Sequence, residues 1–390
     1  MLKLGIIGAG NMGSGHIRNI LEGKCPDIVV SAVADRKASR RDWAKEVLPD
    51  AVIFNEGSEL IASGACEAVL LAVPHYQHPP LAIEAFEHGK HVMCEKPAGV
   101  YTLQVREMMA AADKHPELTF GMMFNQRSNC LYRKAKELIE EGAIGEMKRM
   151  NWIVTDWYRT QFYYDSGAWR ATWAGEGGGV LLNQAPHNLD LWQWICGMPV
   201  SVTAFCDTAK YHRIEVEDDA TLFARYANGA TGAFITTTGE YPGTNRLEIA
   251  GELGKLVLEN GVMKWWKLAR PEPEVRFESE ENWTQIPTEE LQIASDEPET
   301  AHPGILQNFA NAILHGEALI SPGEDGLNEL TISNAAYLSQ WTGNACVPIP
   351  FDETVFDREL AERASASKYR AQSSAANPDG RYSERWQVKW

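Results

Sequence analysis

Two adjacent charged residues, Glu95 and Lys96, directly follow the apolar run HVMC at positions 91 to 94. The run is typical of the end of a buried strand, and Pro97 prevents further strand pairing. A solvated loop would explain a charge pair at this place. Alternatively the pair does chemistry, because the carboxyl ends of parallel strands are where α/β folds bind ligands. We therefore treat Lys96 as a candidate catalytic residue.

A second set of residues with chemical potential lies in GEGGGVLLNQAPHNLDLWQW, positions 175 to 194. Its three glycines (177 to 179) indicate backbone packed against a ligand or another chain segment. Pro186 fits the first turn of a helix, so His187 is predicted to project from that turn. Four residues share the spacing of one helix face, with the first near the helix cap: Asn183, His187, Asp190 and Trp194. A lone histidine often has only a structural role, so the residues around His187 must decide whether it is catalytic.

Aromatic and basic side chains surround this second set in the sequence. They are Trp152, Trp157, Trp169, Trp173, Trp192, Trp194, Tyr158, Tyr163 and Tyr164, with Arg159 and Arg170 between them. Aromatic faces with hydrogen-bonding heads suit a polyhydroxylated ring, which has apolar C–H faces and a polar rim. Some of these tryptophans, Trp192 in particular, are expected to be core residues. The cluster favours a neutral ring-shaped substrate over a small keto acid.

The N-terminus contains a GxGxxG motif, Gly8-Ala9-Gly10-Asn11-Met12-Gly13. Gly8 permits a tight turn, Gly10 lets the backbone approach a pyrophosphate, and Gly13 allows close packing of helix on strand. The motif follows a predicted strand and opens a predicted helix, whose free N–H groups favour phosphate binding. A glycine-rich turn without a ligand is the alternative. The context favours dinucleotide binding.

Asp35 ends the second predicted strand about 20 residues after Gly13, the spacing expected for the acidic residue that binds the adenosine ribose. Its carboxylate would accept hydrogen bonds from the ribose hydroxyls, and its charge would repel a 2′-phosphate. These properties favour NAD. Arg36 leaves NADP open, because a guanidinium can stack on adenine and can also bind a phosphate.

The composition restricts the class of protein. At 390 residues, the chain has a length typical of two domains. Its net charge of −17, without a basic run, disfavours binding to nucleic acid or acidic membranes. Seven scattered cysteines without CxxC spacing, and histidines without HxH or HExxH grouping, predict neither disulfides nor a metal site. No export signal or membrane-spanning segment is recognisable, so we expect a soluble cytoplasmic protein.

The first 126 residues alternate short apolar runs with helical patterns, which predicts a doubly wound parallel sheet of the Rossmann type. The predicted strands are 3–8, 29–35, 68–73, 91–95 and 118–124, and the predicted helices are 11–22, 39–46, 78–88 and 102–114. The runs lack polar alternation, as strands covered on both faces do. We expect this segment to form the dinucleotide-binding domain.

From residue 127 the pattern changes to alternating strands with turn residues such as Asn228-Gly229, which predicts a mainly antiparallel sheet. The predicted strands are 147–157, 220–227, 230–238, 245–251 and 254–260, and the predicted helices are 128–142, 184–195, 304–315 and 324–341. We expect a substrate-binding and oligomerisation domain over 127–350. Residues 351–390 are predicted to form an arm that lies on the body or on a neighbouring subunit.

Three motifs together resemble the Gfo/Idh/MocA family of NAD(P)-dependent sugar and cyclitol dehydrogenases: the GxGxxG start, EKP at 95 to 97, and GGGVLLNQAPHNLD at 177 to 190. The stretch HPGILQNFANAI (302 to 313) is similar to the family's C-terminal region. The resemblance extends to about residue 350. It implies a Rossmann domain followed by an α/β domain with a large open antiparallel sheet, which often mediates dimers and tetramers.

The resemblance also implies catalytic roles for three residues. The family's active-site lysine corresponds to Lys96, beside the nicotinamide, and its usual acid/base histidine corresponds to His187. The family commonly has Asp four positions before that histidine, where this chain has Asn183. An amide cannot relay a proton, so we assign Asn183 to orienting the substrate or Lys96, and the proton transfer to His187.

Two further segments extend the predicted site. The family's TPNxxH is VPHYQH here, which places His75 and His78 near the nicotinamide ribose, and an FNxR-like segment at 124 to 127 borders the cofactor cleft. The predicted cofactor contacts are Gly8, Gly10, Asn11, Met12, Gly13, Asp35, Arg36, Pro74, His75, His78, Glu95, Lys96 and Asn125. The predicted substrate contacts are Lys96, Arg127, Tyr158, Tyr164, Trp169, Arg170, Asn183 and His187.

These residues predict oxidation of a secondary alcohol. His187, with an ordinary pKa of about 6.5, would take the hydroxyl proton near neutral pH. Lys96 would hold the hydroxyl and stabilise the developing alkoxide. Glu95 would either position Lys96 or bind a ribose.

The leading interpretation is a pyranoside or cyclitol dehydrogenase, acting for example at C3 of a hexopyranoside or at an inositol hydroxyl. One alternative is an NAD-dependent glycosidase, which oxidises the sugar ring transiently and accumulates no NADH. Another is a non-catalytic regulator that binds dinucleotide, like a yeast regulator of galactose genes in the same family. The presence of both Lys96 and His187 argues against the regulator.

Overall fold

The apolar runs of the first 122 residues form a parallel six-stranded sheet in the computed structural model, which describes residues 1–295 and 299–368 of the chain. Its strands are β1 (Leu2–Ile7), β2 (Ile28–Ala34), β3 (Val52–Phe54), β4 (Ala68–Leu71), β5 (His91–Cys94) and β6 (Phe120–Met122). The helices between them are α1 (Asn11–Leu21), α2 (Ala38–Val47), α3 (Gly57–Ala62), α4 (His78–Glu87) and α5 (Thr102–Ala112). The predicted Rossmann-type fold is confirmed.

The strand order is β3-β2-β1-β4-β5-β6, so the chain reverses direction across the sheet between β1 and β4. Ligands of such sheets bind at this reversal, beyond the carboxyl ends of the strands. The five predicted strands and four predicted helices are all present. The sequence did not predict β3 and α3, because three and six residues are too short to establish a periodic pattern.

The second sheet has nine strands in the order β14-β13-β12-β11-β7-β10-β9-β8-β15. They are β7 (Met147–Val154), β8 (Ser201–Thr208), β9 (Glu217–Arg225), β10 (Thr231–Thr237), β11 (Asn245–Gly251), β12 (Gly254–Glu259), β13 (Val262–Leu268), β14 (Thr288–Ala294) and β15 (Val347–Pro348). All pairs are antiparallel except β7 with β10. The mainly antiparallel sheet is therefore confirmed, with four strands (β8, β13, β14 and β15) that were not predicted.

Eight helices follow β6 in the described residues. They are α6 (Cys130–Glu140), α7 (Gln161–Asp165), α8 (Val180–Asn183), α9 (Pro186–Cys196), α10 (Glu272–Glu278), α11 (Ala301–His315), α12 (Asp325–Trp341) and α13 (Glu353–Ala366). Alternation along β9 turns Leu222 inward and Phe223 outward, so only one face of the sheet joins the hydrophobic core. The opposite face is open.

Two helices join the domains. Ile305, Leu306 and Phe309 of α11 pack in the same hydrophobic cluster as β1, so a segment far along the chain completes the Rossmann core. On α12, the Asn334 amide binds the main chain of Val100 and Thr102, just beyond Lys96. The Lys96 loop is therefore held by α12, a helix far along the chain between the last two strands of the second sheet.

The described part of the predicted C-terminal arm is a helix on the body. In α13, Phe356 and Leu360 are buried, and the Arg363 guanidinium lies 4.1 Å from the centre of the Trp341 ring. The rest of the predicted arm, 369–390, lies outside the described residues. Among the helices that are described, none combines the length and apolar character needed to cross a membrane.

Candidate active site

The glycine turn between β1 and α1 is shaped for a dinucleotide. Gly8 has φ +94°, and a Cβ at Gly13 would lie 1.8 Å from the Gly8 carbonyl oxygen, so both positions require glycine for the fold. A Cβ at Gly10 would meet no atom within 4 Å. The open space at Gly10, with Asn11 and Met12 starting α1, leaves main-chain N–H groups accessible to a pyrophosphate.

The carboxylate of Asp35 is fixed beside this turn. It accepts hydrogen bonds of 2.8 Å from the N–H groups of Ala9 and Lys37. Arg36, the residue that left NADP open, is exposed and pairs with Glu56. Arg40, which the sequence did not single out, donates to the Ala9 carbonyl at 2.6 Å. Asp35 therefore remains available beside the turn, while Arg36 is engaged elsewhere.

The two histidines after β4, His75 and His78, differ in their hydrogen-bond partners. His78 is buried, and its ring nitrogens lie 2.7 Å and 2.9 Å from the main-chain oxygens of Pro97 and Val73. This contradicts a direct contact between the His78 imidazole and a ribose. His75 follows Pro74 in a short 3-10 turn and places Nδ1 3.0 Å from the Glu176 carbonyl, across the domain boundary. Burial lowers the pKa of both imidazoles.

The predicted cofactor contacts Glu95 and Asn125 are both buried. Glu95 accepts from His16 Nε2 at 2.7 Å. Burial raises the pKa of the Glu95 carboxyl, but the His16 hydrogen bond and the charges of His16, His302 and Lys96 together outweigh it and leave the pKa below its usual value. Asn125 Oδ1 is buried and has no hydrogen-bond partner among residues 1–295 and 299–368. An acceptor in that condition suits a ligand donor, so Asn125 remains a proposed contact.

Lys96 reaches across from the first domain to the second. Its Nζ donates to the main-chain oxygen of Asn183 at 2.6 Å, and its side chain is half-buried. Burial lowers the pKa of Lys96 to about 8, while Glu95, Glu329 and Glu176 oppose that change. The ammonium is therefore largely charged at pH 7, although a modest rise in pH would discharge it.

His187 projects from the first turn of α9, as predicted, with Pro186 at the start of the helix. Its Nδ1 is buried and contacts no hydrogen-bond partner in the described chain. Burial lowers the pKa of His187 well below its usual value, and the charge of Lys96 adds to the effect. The imidazole is thus neutral at pH 7 and can accept a proton.

Asn183 ends the separate short helix α8, so it does not share a helix face with His187 as the spacing predicted. Its side-chain Nδ2 donates to Oε1 of Glu176, and its Oδ1 accepts from Tyr163 at 3.4 Å. The Tyr163 hydroxyl also accepts from Arg170 at 2.7 Å and Gln184 at 3.1 Å. The structure therefore joins Lys96, Asn183, Tyr163 and Arg170 in one polar network.

Three predicted substrate contacts fall outside this network. Arg127 is fully buried and is bound by the carboxylates of Asp190 and Asp325, so its predicted role as a substrate ligand is contradicted. Tyr164 is buried with its hydroxyl 2.7 Å from Thr238, whereas the hydroxyl of the neighbouring Tyr163 belongs to the network. Tyr158 is exposed and packs on Tyr241, and its role stays a prediction.

Trp169 borders the network beside Arg170. The Arg170 guanidinium lies 4.6 Å from the Trp169 ring centre and 4.5 Å from the Tyr163 ring centre. Trp169 also contacts the His75 ring edge-on, at 5.6 Å between centroids. This aromatic wall remains the proposed surface for the apolar face of a ring substrate.

The three glycines before α8 pack against protein. Cβ atoms at Gly177, Gly178 and Gly179 would come within 2.3 Å of Val100, the Tyr337 hydroxyl and the Glu217 carbonyl, respectively. The Glu217 carboxylate accepts from the N–H groups of Gly179 and Leu181 and from the Tyr337 hydroxyl. Of the two alternatives, the glycines therefore allow close approach of other chain segments.

Two carboxyl groups were missed by sequence reasoning. Glu176 was visible as a charged residue within a glycine run, but its pairing with Asn183 was not. Glu329 of α12 is fully buried, with neither oxygen hydrogen-bonded in the described chain. Burial and Asp190 raise the pKa of Glu329 well above its usual value, and Lys96 opposes the shift. No signal in the sequence distinguished Glu329 from a surface residue of the helix.

The arrangement can position and deprotonate an alcohol. Beyond the carboxyl end of β5, the charge of the Lys96 ammonium helps to lower the pKa of the His187 imidazole, which belongs to the other domain. An ammonium stabilises negative charge on oxygen, and a neutral imidazole accepts a proton. The glycine turn and Asp35 lie at the carboxyl ends of the neighbouring strands of the same sheet.

Comparisons with known proteins agree with this geometry. Residues 2–122 match the model described as "Oxidoreductase family, NAD-binding Rossmann fold", and residues 132–257 match "GFO/IDH/MocA C-terminal domain". A myo-inositol 2-dehydrogenase of Thermotoga maritima is 26% identical over 265 residues, which cover 66% of this chain and 75% of that protein. A levoglucosan dehydrogenase of Pseudarthrobacter phenanthrenivorans is 26% identical over 301 residues, covering 66% and 73%.

One solved structure extends the comparison to most of the chain. The WlbA dehydrogenase from Bordetella pertussis, crystallised with NADH and UDP-GlcNAcA, superimposes with a TM-score of 0.74 and 27% identity. The match covers 90% of this chain and 99% of the WlbA chain.

Proposed function

The chain belongs to the Gfo/Idh/MocA family of NAD-binding oxidoreductases, and from this premise we propose that it oxidises a secondary hydroxyl of a cyclitol or pyranose ring. Two relatives carry names of that kind, an inositol dehydrogenase and a levoglucosan dehydrogenase. The observation that supports the proposal most directly is the 2.6 Å contact of Lys96 Nζ with Asn183, four residues before His187. It holds the ammonium of the first domain against the second-domain segment that leads into α9, and the charge of Lys96 contributes to the lowered pKa of His187.

NAD held by the glycine turn and Asp35 would supply the acceptor for the hydride that leaves the carbinol carbon. Around it, Lys96 hydrogen-bonds the substrate hydroxyl and stabilises the negative charge that develops on its oxygen. His187, neutral at pH 7, takes the hydroxyl proton. Asn183 holds the Lys96 ammonium through its main-chain oxygen. Trp169 and Tyr163 cover one face of the ring, and Arg170 reaches the ring hydroxyls at its rim.

The cofactor residues in this proposal follow strands β1, β2 and β6 of the parallel sheet. The glycine turn and the start of α1 hold the pyrophosphate, while Asp35 accepts the adenosine ribose hydroxyls. Asn125, with its free acceptor, binds toward the nicotinamide end. A carboxylate at Asp35 favours NAD over NADP, because a 2′-phosphate would be repelled there.

The open face of the second sheet supports a further part of the proposal, self-association. Four large apolar side chains on β7 to β10 point outward on the same face: Ile153, Phe205, Phe223 and Ile235. Apolar patches of this kind mark association surfaces on soluble proteins. We therefore propose a homodimer, or a tetramer built from it, through this face.

A substrate panel tests the proposed reaction. Purified protein is incubated with inositols, monosaccharides, levoglucosan and aryl glycosides, with NAD or NADP, and reduced nicotinamide is followed by absorbance. The proposal expects net NADH formation and a ketone product with at least one ring polyol. Release of an aglycone without net NADH would instead indicate the glycosidase, and a complete absence of reaction across the panel would overturn the proposal.

A further inference from the structure

A buried carboxylate lies where the second domain reaches Lys96. Glu176 is 2% exposed, and its Oε1 accepts a hydrogen bond from the Asn183 side chain. Its Oε2 accepts from the N–H of Ala171, and Arg170 Nη1 lies 3.7 Å from Oε1. Buried carboxylates are rare unless they are paired, so the burial of Glu176 indicates a specific role for its hydrogen-bond partners.

The contact determines how the Asn183 amide is oriented. An ionised carboxylate only accepts hydrogen bonds, so the NH2 group of Asn183 faces Glu176 and Oδ1 faces away from it. Oδ1 then accepts from the Tyr163 hydroxyl, while the main-chain oxygen of the same residue accepts from Lys96. Reversing the amide would set oxygen against oxygen at Glu176 and would leave the Tyr163 hydroxyl facing a donor.

Glu176 also belongs to the set of charges around Lys96. The titratable and charged groups that interact with the Lys96 ammonium are Glu95, Glu176, Glu329, Arg170, His75, His78, His187 and His302. Glu95 is hydrogen-bonded to His16, and burial raises the pKa of Glu329 well above its usual value, which favours the neutral form of that carboxyl. Burial also raises the pKa of Glu176, but Arg170 and two hydrogen-bond donors favour its ionised form.

We propose that Glu176 is a positioning residue of the dehydrogenase site: it fixes the Asn183 amide and supplies negative charge on the second-domain side of Lys96. The inference rests on the proposed function, because it assigns Glu176 a part in the reaction of Lys96 and His187. The inference predicts that the site needs one carboxylate and one amide at positions 176 and 183. A protein with the carboxylate at 183 and the amide at 176 should therefore also work.

The first experiment measures the reactivity of the Lys96 amine toward acetylation, in the absence of any substrate. Full-length wild type, Glu176→Gln, Asn183→Asp and the double exchange are labelled with acetic anhydride at pH 7, and Lys96 acetylation is read by peptide mass spectrometry. Loss of the carboxylate lowers the pKa of Lys96 by about one unit, so labelling in Glu176→Gln rises about fivefold. Asn183→Asp labels less than wild type, and the double exchange labels within about twofold of wild type.

The control for this experiment is Glu137→Gln, which removes an exposed carboxylate of α6 that pairs with Lys134. It should leave Lys96 labelling unchanged. Thermal unfolding of each variant establishes that the labelled protein is folded. Unchanged Lys96 labelling in folded Glu176→Gln overturns the inference.

The second experiment measures turnover of myo-inositol and levoglucosan with NAD. Glu176→Gln and Asn183→Asp should each lower kcat/KM at least about tenfold, mainly through kcat, and Glu176→Asp should retain most activity. The double exchange should recover at least about tenfold over the worse single variant. If the losses simply multiply in the double variant, the two residues do not act as a pair and the inference fails. An inactive wild type would count against the proposed function alone, since the labelling still decides the role of Glu176.

Discussion

At the scale of single residues, the site depends on two groups whose pKa values are both lowered by burial, the Lys96 ammonium and the His187 imidazole. Burial lowers the pKa of Lys96 to about 8 and keeps His187 neutral, so at pH 7 the site holds a charged donor and an uncharged acceptor. Alcohol oxidation needs this combination, because the proton must leave the oxygen while negative charge on it is stabilised.

Replacing either group should stop chemistry without preventing cofactor binding. We expect Lys96→Met and His187→Ala to lower kcat by roughly 10²–10⁴-fold, the range for removing an electrostatic stabiliser or a general base. The NADH dissociation constant, measured by fluorescence titration, should change less than about threefold. Turnover close to that of wild type in either variant would remove the role given to that residue.

The pH dependence of oxidation should report Lys96. Its ammonium is present below its pKa of about 8 and is lost as the pH rises through that value. We therefore expect kcat/KM to fall above pH 8 in wild type. In Lys96→Arg the guanidinium stays charged, so its residual activity should lack that decline. The same decline in both proteins would assign it to another group.

The glycine turn gives a prediction that separates folding from binding. Gly10 has φ −67° and open space around it, so Gly10→Ala should change the melting temperature little but weaken NADH binding at least about tenfold, by blocking the close approach of the phosphates. Gly13→Ala places a methyl group against the Gly8 carbonyl and should cost about 3 kcal/mol of stability. Calorimetry measures the stability of each variant, and NADH titration measures its affinity for the cofactor. Equal loss of stability in both variants would contradict the assignment.

At the scale of elements, the segment before α9 is held by the strand behind it. The Glu217 carboxylate of β9 binds two N–H groups of the glycine segment and the Tyr337 hydroxyl of α12. This places the end of α8, and hence Asn183 beside Lys96, at a position set by three elements. The precision of the site therefore rests on a carboxylate that touches no reacting group.

Glu217→Ala should destabilise the protein by about 3 kcal/mol or more, because two main-chain N–H groups and one hydroxyl lose their acceptor. Glu217→Gln keeps one acceptor oxygen and should cost about half as much. Urea unfolding measures both. Because Asn183 loses its support, kcat should fall in Glu217→Ala as well, and a variant with unchanged stability would contradict the role of Glu217.

At the scale of the whole molecule, the two sheets serve different purposes. The parallel sheet is covered on both sides and offers its strand ends to the cofactor, while the nine-stranded sheet covers the site with one face and leaves the other open. That open face carries apolar side chains on a chain with a net charge of −17. In the proposed dimer, the contact between apolar side chains would therefore have to outweigh a general electrostatic repulsion between copies.

Self-association through this face predicts a simple test. Phe223→Glu places a charge in the middle of the apolar patch and should reduce the mass measured by analytical ultracentrifugation to that of a monomer. Leu21→Glu, at an exposed apolar residue of the Rossmann domain, is the matched control and should keep the wild-type mass. A dimer that survives Phe223→Glu would place the interface elsewhere.

Much of the architecture could be predicted from the chain alone, since long periodic segments carry their own signal. The Rossmann motif, the buried parallel strands and the position of His187 in the first turn of a helix all follow from local spacing. Short elements such as β3 and α3 escaped, because a few residues establish no period. Strands β13 and β14 are longer, but they escaped for another reason: charged and aromatic residues obscure the alternation of polar and apolar positions.

The sequence by itself determined which groups could do chemistry: a lysine after a buried strand, a histidine opening a helix, and a glycine turn for phosphates. Only the tertiary structure decided which neighbours they have. It buried Arg127 against Asp190, 63 residues away, and it joined Glu176 to Asn183 and Asn183 to Lys96. The physical reason is that backbone periodicity depends on near neighbours in the chain, whereas side-chain pairing and burial depend on which distant segments pack together.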